Sequence, residues 1–288
     1  MNQKTTRRGS HRRTTEIPGS LVSIALPGRD RPLDGFWCRG ARAKDALLVF
    51  VHGMHSNFYR SKLKKVLMTA SARTGFDVLS FNNRGAEQST ATERFENCLP
   101  DIDAAIRFGR RHGYRRFFLA GHSTGCQKIT YYQAVRRNPA VRALILLAIG
   151  DDYAITRRDL GRRFAFWVRR ARSLVARGKG DTLLPPECQG FSARRFLSIA
   201  DPAATEAKLF DFDGQLTHFR RIRCPVLAVF AGADEYETLP PKRAGEILRS
   251  RTRAARFESQ VVPGADHSFH GDEQLVSRLI GGWLKRRA

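Results

Sequence analysis

Residues 121–125 read Gly-His-Ser-Thr-Gly and lie between a predicted strand, Phe117–Ala120, and a predicted helix over residues 125–137. A G-x-S-x-G pattern between a strand and a helix is typical of a sharp turn that presents a nucleophilic serine. The turn is so tight that Cβ atoms beside the serine would clash, which accounts for a glycine at both ends. We expect the turn to lift the Ser123 hydroxyl above the edge of a sheet, at the positive end of the following helix.

A serine hydroxyl is a weak nucleophile near neutral pH, so it needs a base and a group that orients the base. Two later predicted strands end in loops that carry Asp234 and His267. Because parallel strands deliver their C-terminal loops to one edge of the sheet, we expect both side chains to lie near Ser123. Glu235 stays open as the alternative acid, and His270 as the alternative base.

Acyl transfer also needs N–H donors for the developing oxyanion. The backbone N–H of Thr124, directly after the serine, is one expected donor. The loop after the apolar run Ala46–Val51 reads His-Gly-Met-His at residues 52–55, and we expect Met54 to supply the second N–H. Candidates for substrate contact are His52, Arg84 and Trp167.

From Leu21 onward, strand-like runs alternate with helical patterns, which predicts an α/β fold with a mainly parallel sheet. Ala46–Val51 is uninterrupted and apolar, as expected for a central strand buried on both faces, and residues 57–74 read as the next helix. The alternation stops between Gly150 and Ile222, which indicates a helical insertion. The predicted division is a basic disordered tail (1–20), a core (21–149 and 223–288) and a cap insertion (150–222).

From about Leu21 to its end the chain resembles the α/β-hydrolase superfamily. The resemblance implies a mainly parallel central sheet with helices on both faces and a helical cap. Four segments are also similar to a poorly characterised family that includes fungal siderophore esterases: GHSTGCQ (121–127), GKGDTLLP (178–185), RFLS (195–198) and DEY (234–236). This narrower likeness implies a serine ester hydrolase. The expected reaction proceeds through an acyl-enzyme, and a siderophore-like ester and a lipid ester both stay open as the substrate. The likeness agrees with Ser123, Asp234 and His267 residue by residue.

The chain carries 51 Lys and Arg against 27 Asp and Glu, a net charge of +24. Such an excess favours anionic partners. The expected partner is a small-molecule ester, with an anionic one allowed, and peripheral contact with an anionic membrane is a further hypothesis. The alternative function is a binding protein that uses a basic surface on a hydrolase scaffold for membrane or nucleic acid. We find no specific nucleic-acid signature.

The insertion contains a helical pattern with apolar residues on one stripe and arginines around it. We interpret it either as a cap helix packed over the active site or as a mobile lid that meets an anionic substrate or lipid surface. The stripe consists of Leu160, Phe164, Trp167, Ala171 and Leu174.

Other features limit the function classes. His52 and His55 lie close together, but no carboxylate or cysteine with metal-ligand spacing accompanies them, so we expect no metal site. The sequence has no P-loop or dinucleotide fingerprint, and we expect no cofactor. Its five cysteines are odd in number and form no C-x-x-C pair, which favours a reducing, cytoplasmic setting.

Overall fold

The structure is a computed structural model that describes residues 16–40, 45–74 and 76–287. Most of the predicted basic tail, residues 1–15, lies outside the described residues. The tail was expected to extend to residue 20, but the first strand already begins at Ser20.

The strands of the described residues form a single sheet, which we number in chain order. They are β1 (Ser20–Ile24), β2 (Leu33–Cys38), β3 (Ala46–Val51), β4 (Asp77–Phe81), β5 (Arg116–His122), β6 (Val141–Leu147), β7 (Val226–Ala231) and β8 (Phe257–Val262). Their order across the sheet is β1-β2-β4-β3-β5-β6-β7-β8. The pairs β1–β2 and β2–β4 are antiparallel, and the other neighbours are parallel.

The α-helices of the described residues follow the same numbering. They are α1 (Lys62–Thr74), α2 (Cys98–Arg111), α3 (Thr124–Arg136), α4 (Asp152–Leu160), α5 (Phe164–Ala176), α6 (Ala193–Ala200), α7 (Pro241–Arg251) and α8 (Glu273–Lys285). The predicted helix over 57–74 begins later than expected, at Lys62. Asn57 holds the preceding residues in a turn, because its side-chain oxygen accepts from the N–H groups of Tyr59 and Arg60 at 3.0 and 2.7 Å.

Helices cover both faces of the sheet because its central strands are apolar on both sides. All six residues of β3 are buried. Leu47, Val49 and Val51 pack on the side of α2, α3 and α7, whereas Leu48 and Phe50 pack on the side of α1 and α8. The α/β-hydrolase fold expected from the sequence is thereby confirmed.

The segment between β6 and β7 packs in two parts. Residues 168–200 contribute most of a small cap core, against which Met54 also packs. Leu209, Phe210 and Phe219 instead join the core on the α2–α3 face of the sheet. The segment therefore both covers the C-terminal edge of the sheet and fills one of its faces.

The predicted apolar stripe does not lie on one helix. Helix α4 ends at Leu160, Gly161 adopts a φ of 48°, and α5 begins at Phe164. A positive φ interrupts the helical repeat, so the stripe loses its register at that point. The buried side of α5 consists of Val168, Ala171 and Leu174.

A buried ion-pair chain connects the cap with the core. Lys128 of α3 donates to Glu93 at 2.5 Å, and Arg195 of α6 lies 3.9 Å from the other oxygen of Glu93. Arg195 also forms a two-pronged pair with Glu206, with one N–O distance of 3.0 Å. The side chains of all four residues are at most 1% exposed. Two positive and two negative groups therefore balance inside the protein.

Removing one member of this buried ion-pair chain should lower the free energy of unfolding far more than removing both members of a pair. We expect Arg195→Met to lower the free energy of unfolding by about 3–5 kcal/mol, because it leaves a buried carboxylate without its partner. The double variant Arg195→Met, Glu206→Leu should recover most of that loss. Urea unfolding of the purified variants measures both values.

Arg243→Met is the control, because it breaks an Arg–Glu pair with Glu246 whose side chains are 63% and 65% exposed. We expect it to change the free energy of unfolding by less than about 1 kcal/mol. An Arg195→Met loss no larger than that of Arg243→Met would contradict the role given to the buried chain.

Candidate active site

The turn that carries Ser123 is built on close contact between backbones. Ser123 follows β5, directly precedes α3 as its N-cap residue, and adopts a φ of 55° with a ψ of −131°. A Cβ on Gly125 would lie 2.2 Å from the carbonyl oxygen of Val51, and one on Gly121 would lie 2.3 Å from that of Gly125. The N–H of Ser123 donates to the carbonyl of Leu147 at 2.9 Å. The turn is therefore held between the ends of β3 and β6.

The structure brings Asp234 and His267 together beside this turn. Nδ1 of His267 lies 2.8 and 2.9 Å from the two carboxylate oxygens of Asp234. This contact assigns a proton to Nδ1 and leaves Nε2 free to accept one. His267 and Ser123 line the same cavity. Ser123 and the His267–Asp234 pair thus border one cavity, the placement expected for a nucleophile, a base and an orienting acid.

The two alternatives left open by the sequence have other contacts. Oε2 of Glu235 accepts the backbone N–H of His267 at 3.0 Å, so Glu235 holds the loop rather than the ring. His270 pairs with Asp266 at 2.7 Å and its side chain is 69% exposed. The geometry therefore favours Asp234 as the orienting acid and His267 as the base.

His122 supports the base from the serine turn itself. Its Nε2 donates to the carbonyl oxygen of His267 at 2.8 Å. Burial, followed by the neighbouring His267, lowers the pKa of His122 to about 3, so this ring stays neutral at ordinary pH. Tyr236 packs its ring edge-on against His267, with centroids 4.7 Å apart. The sequence analysis missed both roles, because they depend on contacts between distant segments.

The two expected oxyanion donors lie next to each other. The N–H of Met54 donates to Oγ1 of Thr124 at 2.8 Å. The N–H of Thr124 is at the first position of α3, where no intrahelical acceptor exists. A substrate oxyanion would replace the threonine hydroxyl as the acceptor for Met54. Gly53 permits this approach, since a Cβ there would lie 2.8 Å from the carbonyl of His122.

A cavity of about 200 Å³ opens beside Ser123. Its lining contains one carboxyl group, from Asp152, and no lysine or arginine. The lining residues are Met54, His55, Ser123, Gly150, Asp152, Ile155, Thr156, Gln189, Ile199, Tyr236 and His267.

The three candidates for substrate contact do not line this cavity. His52 is buried, and its Nδ1 lies 2.7 Å from the carbonyl of Gly53. Burial holds the pKa of His52 well below its usual range. Arg84 is turned to Asp101, with an N–O distance of 2.7 Å, and Trp167 donates its indole N–H to Glu187 at 2.6 Å. All three side chains have partners within the protein, and their contact with a substrate stays a prediction.

Asp152 is a cavity residue that the sequence analysis did not identify. Its Oδ2 accepts from the side-chain amide of Gln127 at 2.9 Å, and the residue is 9% exposed. Burial, followed by the negative charge of Glu206, raises the pKa of Asp152 well above its usual range. Only its position at the start of the insertion, after β6, offered a signal in the sequence.

The residues that the structure describes show neither a metal site nor a membrane-spanning helix. Within these residues, no group of three or more His, Cys, Asp or Glu side chains is placed to hold a metal ion. The helices found in the same residues are too short or too polar to cross a membrane.

The chain belongs to the alpha/beta hydrolase family, which its sequence matches over residues 48–279. A curated relative, the fusarinine C esterase sidJ of Aspergillus fumigatus, is 25% identical over 260 residues, covering 66% of this chain and 73% of the relative. Among solved structures, the siderophore hydrolase EstB of Aspergillus fumigatus has a TM-score of 0.71 at 20% identity, covering 95% of this chain and 99% of that one. Est1E of Butyrivibrio proteoclasticus, with ferulic acid bound, has a TM-score of 0.65 at 16% identity, covering 92% and 98%. The resemblance to fungal siderophore esterases is thereby confirmed.

The close contact at Gly125 gives a direct test of the serine turn. We expect Gly125→Ala to push α3 away from Val51 and to slow labelling of Ser123 by a fluorophosphonate at least ~100-fold, since a displacement of about 1 Å has effects of that size. It should also lower the free energy of unfolding by about 1–3 kcal/mol. Gel-based labelling and urea unfolding measure the two effects.

Gly282→Ala is the matched control, because an added Cβ in α8 meets only Arg286 Nη1, at 4.0 Å. Labelling should be unchanged, and stability should rise by about 0.5–1 kcal/mol. Equal labelling of the Gly125 and Gly282 variants would show that the close approach does not position Ser123.

Proposed function

We propose that this protein is a serine esterase that hydrolyses a carboxylic ester through an acyl-enzyme. The observation that carries the proposal is the geometry of three residues. Ser123 stands on a turn with a φ of 55°, His267 is hydrogen-bonded to Asp234 at 2.8 Å, and Ser123 and His267 line one cavity. The esterases and hydrolases among the relatives support the same reaction class.

The proposed reaction proceeds in two halves. Nε2 of His267 takes the proton of the Ser123 hydroxyl as its oxygen attacks the ester carbonyl, and Asp234 stabilises the resulting imidazolium. The N–H groups of Met54 and Thr124 stabilise the negative oxygen of the tetrahedral intermediate. The alcohol leaves with the proton from His267, and water then hydrolyses the acyl-enzyme by the same steps.

The cavity supports a neutral or positively charged substrate near the scissile bond. An anionic ester would find no lysine or arginine in the lining, and Asp152 would repel it whenever ionised. The net charge of +24 is therefore no guide to the charge of the substrate. Of the esters left open by the sequence, we favour a siderophore-type ester over a lipid ester, in line with the relatives named for fusarinine C and siderophores.

Asp152 is the group through which we propose that substrate charge is recognised. The two positive and two negative side chains of the buried ion-pair chain pair with one another. Among the described residues, none of them forms a salt bridge with Asp152. Its Oδ2 contacts Gln127, while Oδ1 has no hydrogen-bond partner among the described residues. An ammonium group of a bound ester would supply the missing positive charge.

The catalytic assignment predicts a graded loss of ester hydrolysis. Ser123→Ala should abolish fluorophosphonate labelling and lower kcat for a chromogenic ester by about 10⁴–10⁶. Asp234→Asn should lower kcat by up to ~10⁴, because the imidazole takes the wrong tautomer.

Glu235→Gln is the control for Asp234→Asn, since its amide oxygen still accepts the backbone N–H of His267. We expect it to retain at least about a tenth of the wild-type kcat, because it keeps a neutral hydrogen bond in place of a charge-assisted one. A Glu235→Gln loss larger than that of Asp234→Asn would reverse the choice of acid. More than about one per cent of wild-type turnover in Ser123→Ala would refute the mechanism.

The assignment of Asp152 predicts a specificity change rather than a loss of activity. We compare a phenyl ester whose acyl chain ends in ammonium with the isosteric ester that ends in methyl. Wild type should prefer the ammonium ester about 10–100-fold in kcat/KM, the range of a charge-assisted hydrogen bond. The preference should grow with rising pH, because the carboxyl, with its raised pKa, must lose its proton to form the ion pair.

Asp152→Asn should remove this preference and its pH dependence while changing kcat/KM for the methyl ester by less than about threefold. Asp159→Asn on the same helix is the control, because it removes the same charge from a side chain that is 48% exposed and outside the cavity. An unchanged preference in Asp152→Asn would rule out this residue as the charge-recognising group.

A further inference from the structure

A second cavity, of about 840 Å³, lies at the end of the sheet opposite Ser123. It is bordered by the first residues of β6 and by Cys224 and Pro225, which lead into β7, whereas Ser123 follows the last residue of β5. These three strands are parallel, so their beginnings and ends lie at opposite edges. We call this cavity the basic groove. Its arginines are Arg137, Arg142, Arg220, Arg221, Arg223, Arg253 and Arg287.

The charge of the basic groove is not neutralised by the protein. Among the described residues that line it, none is an aspartate or glutamate. Only Arg287 forms a salt bridge with a carboxylate of the described residues, to Glu258, and the other six arginines form none. By contrast, Arg163 and Arg172 near or on α5 are paired with acidic residues. Arg162, Arg169 and Arg170, also on or beside α5, form no salt bridge with a described carboxylate, but they do not line this groove.

The arginines come from separate parts of the chain. They lie at the end of α3, at the start of β6, in the turn Phe219–Arg221 and its continuation, in the loop before β8, and after α8. Like charges that converge in this way repel one another and oppose folding unless an anion binds between them. A neighbouring cavity of about 440 Å³ shares Arg220 and Arg253, adds Arg251, and also has no acidic lining residue.

The shape and chemistry of the groove select the kind of anion. Guanidinium groups bind phosphate through paired, parallel hydrogen bonds, and several of them match a ligand with several phosphates. The volume is that of a small-ligand cavity, which usually measures about 300–1,000 Å³. The lining has no phenylalanine, tyrosine or tryptophan on which a nucleobase would stack, and this disfavours single-stranded nucleic acid.

We propose that the basic groove binds a small molecule that carries several phosphate groups. The site is separate from the cavity beside Ser123, so it does not depend on the proposed esterase function. The ligand contacts the guanidinium groups, and the groove binds it through its phosphates regardless of the group to which they are attached.

The test uses the full chain and isothermal titration with two probes, inorganic tripolyphosphate and ATP, at two salt concentrations. The groove variant is Arg142→Gln, Arg221→Gln, Arg223→Gln, which replaces exposed arginines that have no salt bridge. The control variant is Arg162→Gln, Arg169→Gln, Arg170→Gln, which removes the same charge from exposed arginines on or beside α5.

Wild type should bind tripolyphosphate, with an affinity that falls as salt rises. The groove variant should bind at least ~10-fold more weakly, because it loses several charge-assisted contacts, and the control variant should stay within about twofold of wild type. Similar affinities for ATP and tripolyphosphate would support recognition of the phosphates alone, and a preference of more than about tenfold for either probe would contradict it. Ester hydrolysis should be unchanged in both variants.

Three outcomes would overturn the proposal. The first is the absence of tripolyphosphate binding by wild type. The second is equal weakening in the two variants, which would indicate general attraction by net charge. The third is tight binding of a single-stranded oligonucleotide that is lost in the groove variant while tripolyphosphate does not compete for it, which would make the groove a nucleic-acid surface.

Discussion

The active-site geometry depends on how closely α3 approaches the end of β3. Gly125 packs against the carbonyl of Val51 with no room for a side chain, and Gly53 packs in the same way against the carbonyl of His122. These contacts hold Ser123 at a positive φ, a conformation that a non-glycine residue adopts only when its surroundings enforce it. The same contacts bring the N–H of Met54 to the start of α3. One packing constraint therefore positions both Ser123, the proposed nucleophile, and the N–H groups of Met54 and Thr124, the proposed oxyanion donors.

Buried charge links the cap to this centre. The pairs formed by Lys128, Glu93, Arg195 and Glu206 cross from α3 to α6 and leave no net charge among themselves. Asp152 lines the cavity and is not one of the four residues whose charges balance in this ion-pair chain. Burial, followed by the negative charge of Glu206, raises the pKa of its carboxyl, and this is the group that we propose recognises a cation in the cavity. Lys128 can be accommodated at its buried position because Glu93 faces it.

The sequence predicted those parts of the site that follow from local rules. Strand–turn–helix patterning located Ser123, and the ends of parallel strands located Asp234 and His267, because side chains at those positions must meet at one edge. It did not find His122 or Asp152, whose roles come from contacts with His267 and Gln127 in other segments. The spacing of apolar residues also predicted one continuous helical stripe across Gly161. This was wrong, because residue spacing contains no information about the positive φ that Gly161 adopts.

The distribution of arginine explains why net charge is a poor guide to the substrate. Composition gives one number for the whole chain, but the fold places six arginines without a described salt bridge at the beginnings of the central strands, and no arginine of the described residues lines the cavity beside Ser123. Charges more than a Debye length apart, about 10 Å at 0.1 M salt, are largely screened from each other. A reacting ester would therefore experience Asp152 and the donors beside Ser123 rather than the +24 of the sequence. Under the two proposals, the two ends of one sheet bind ligands of opposite charge, and the sheet itself keeps them apart.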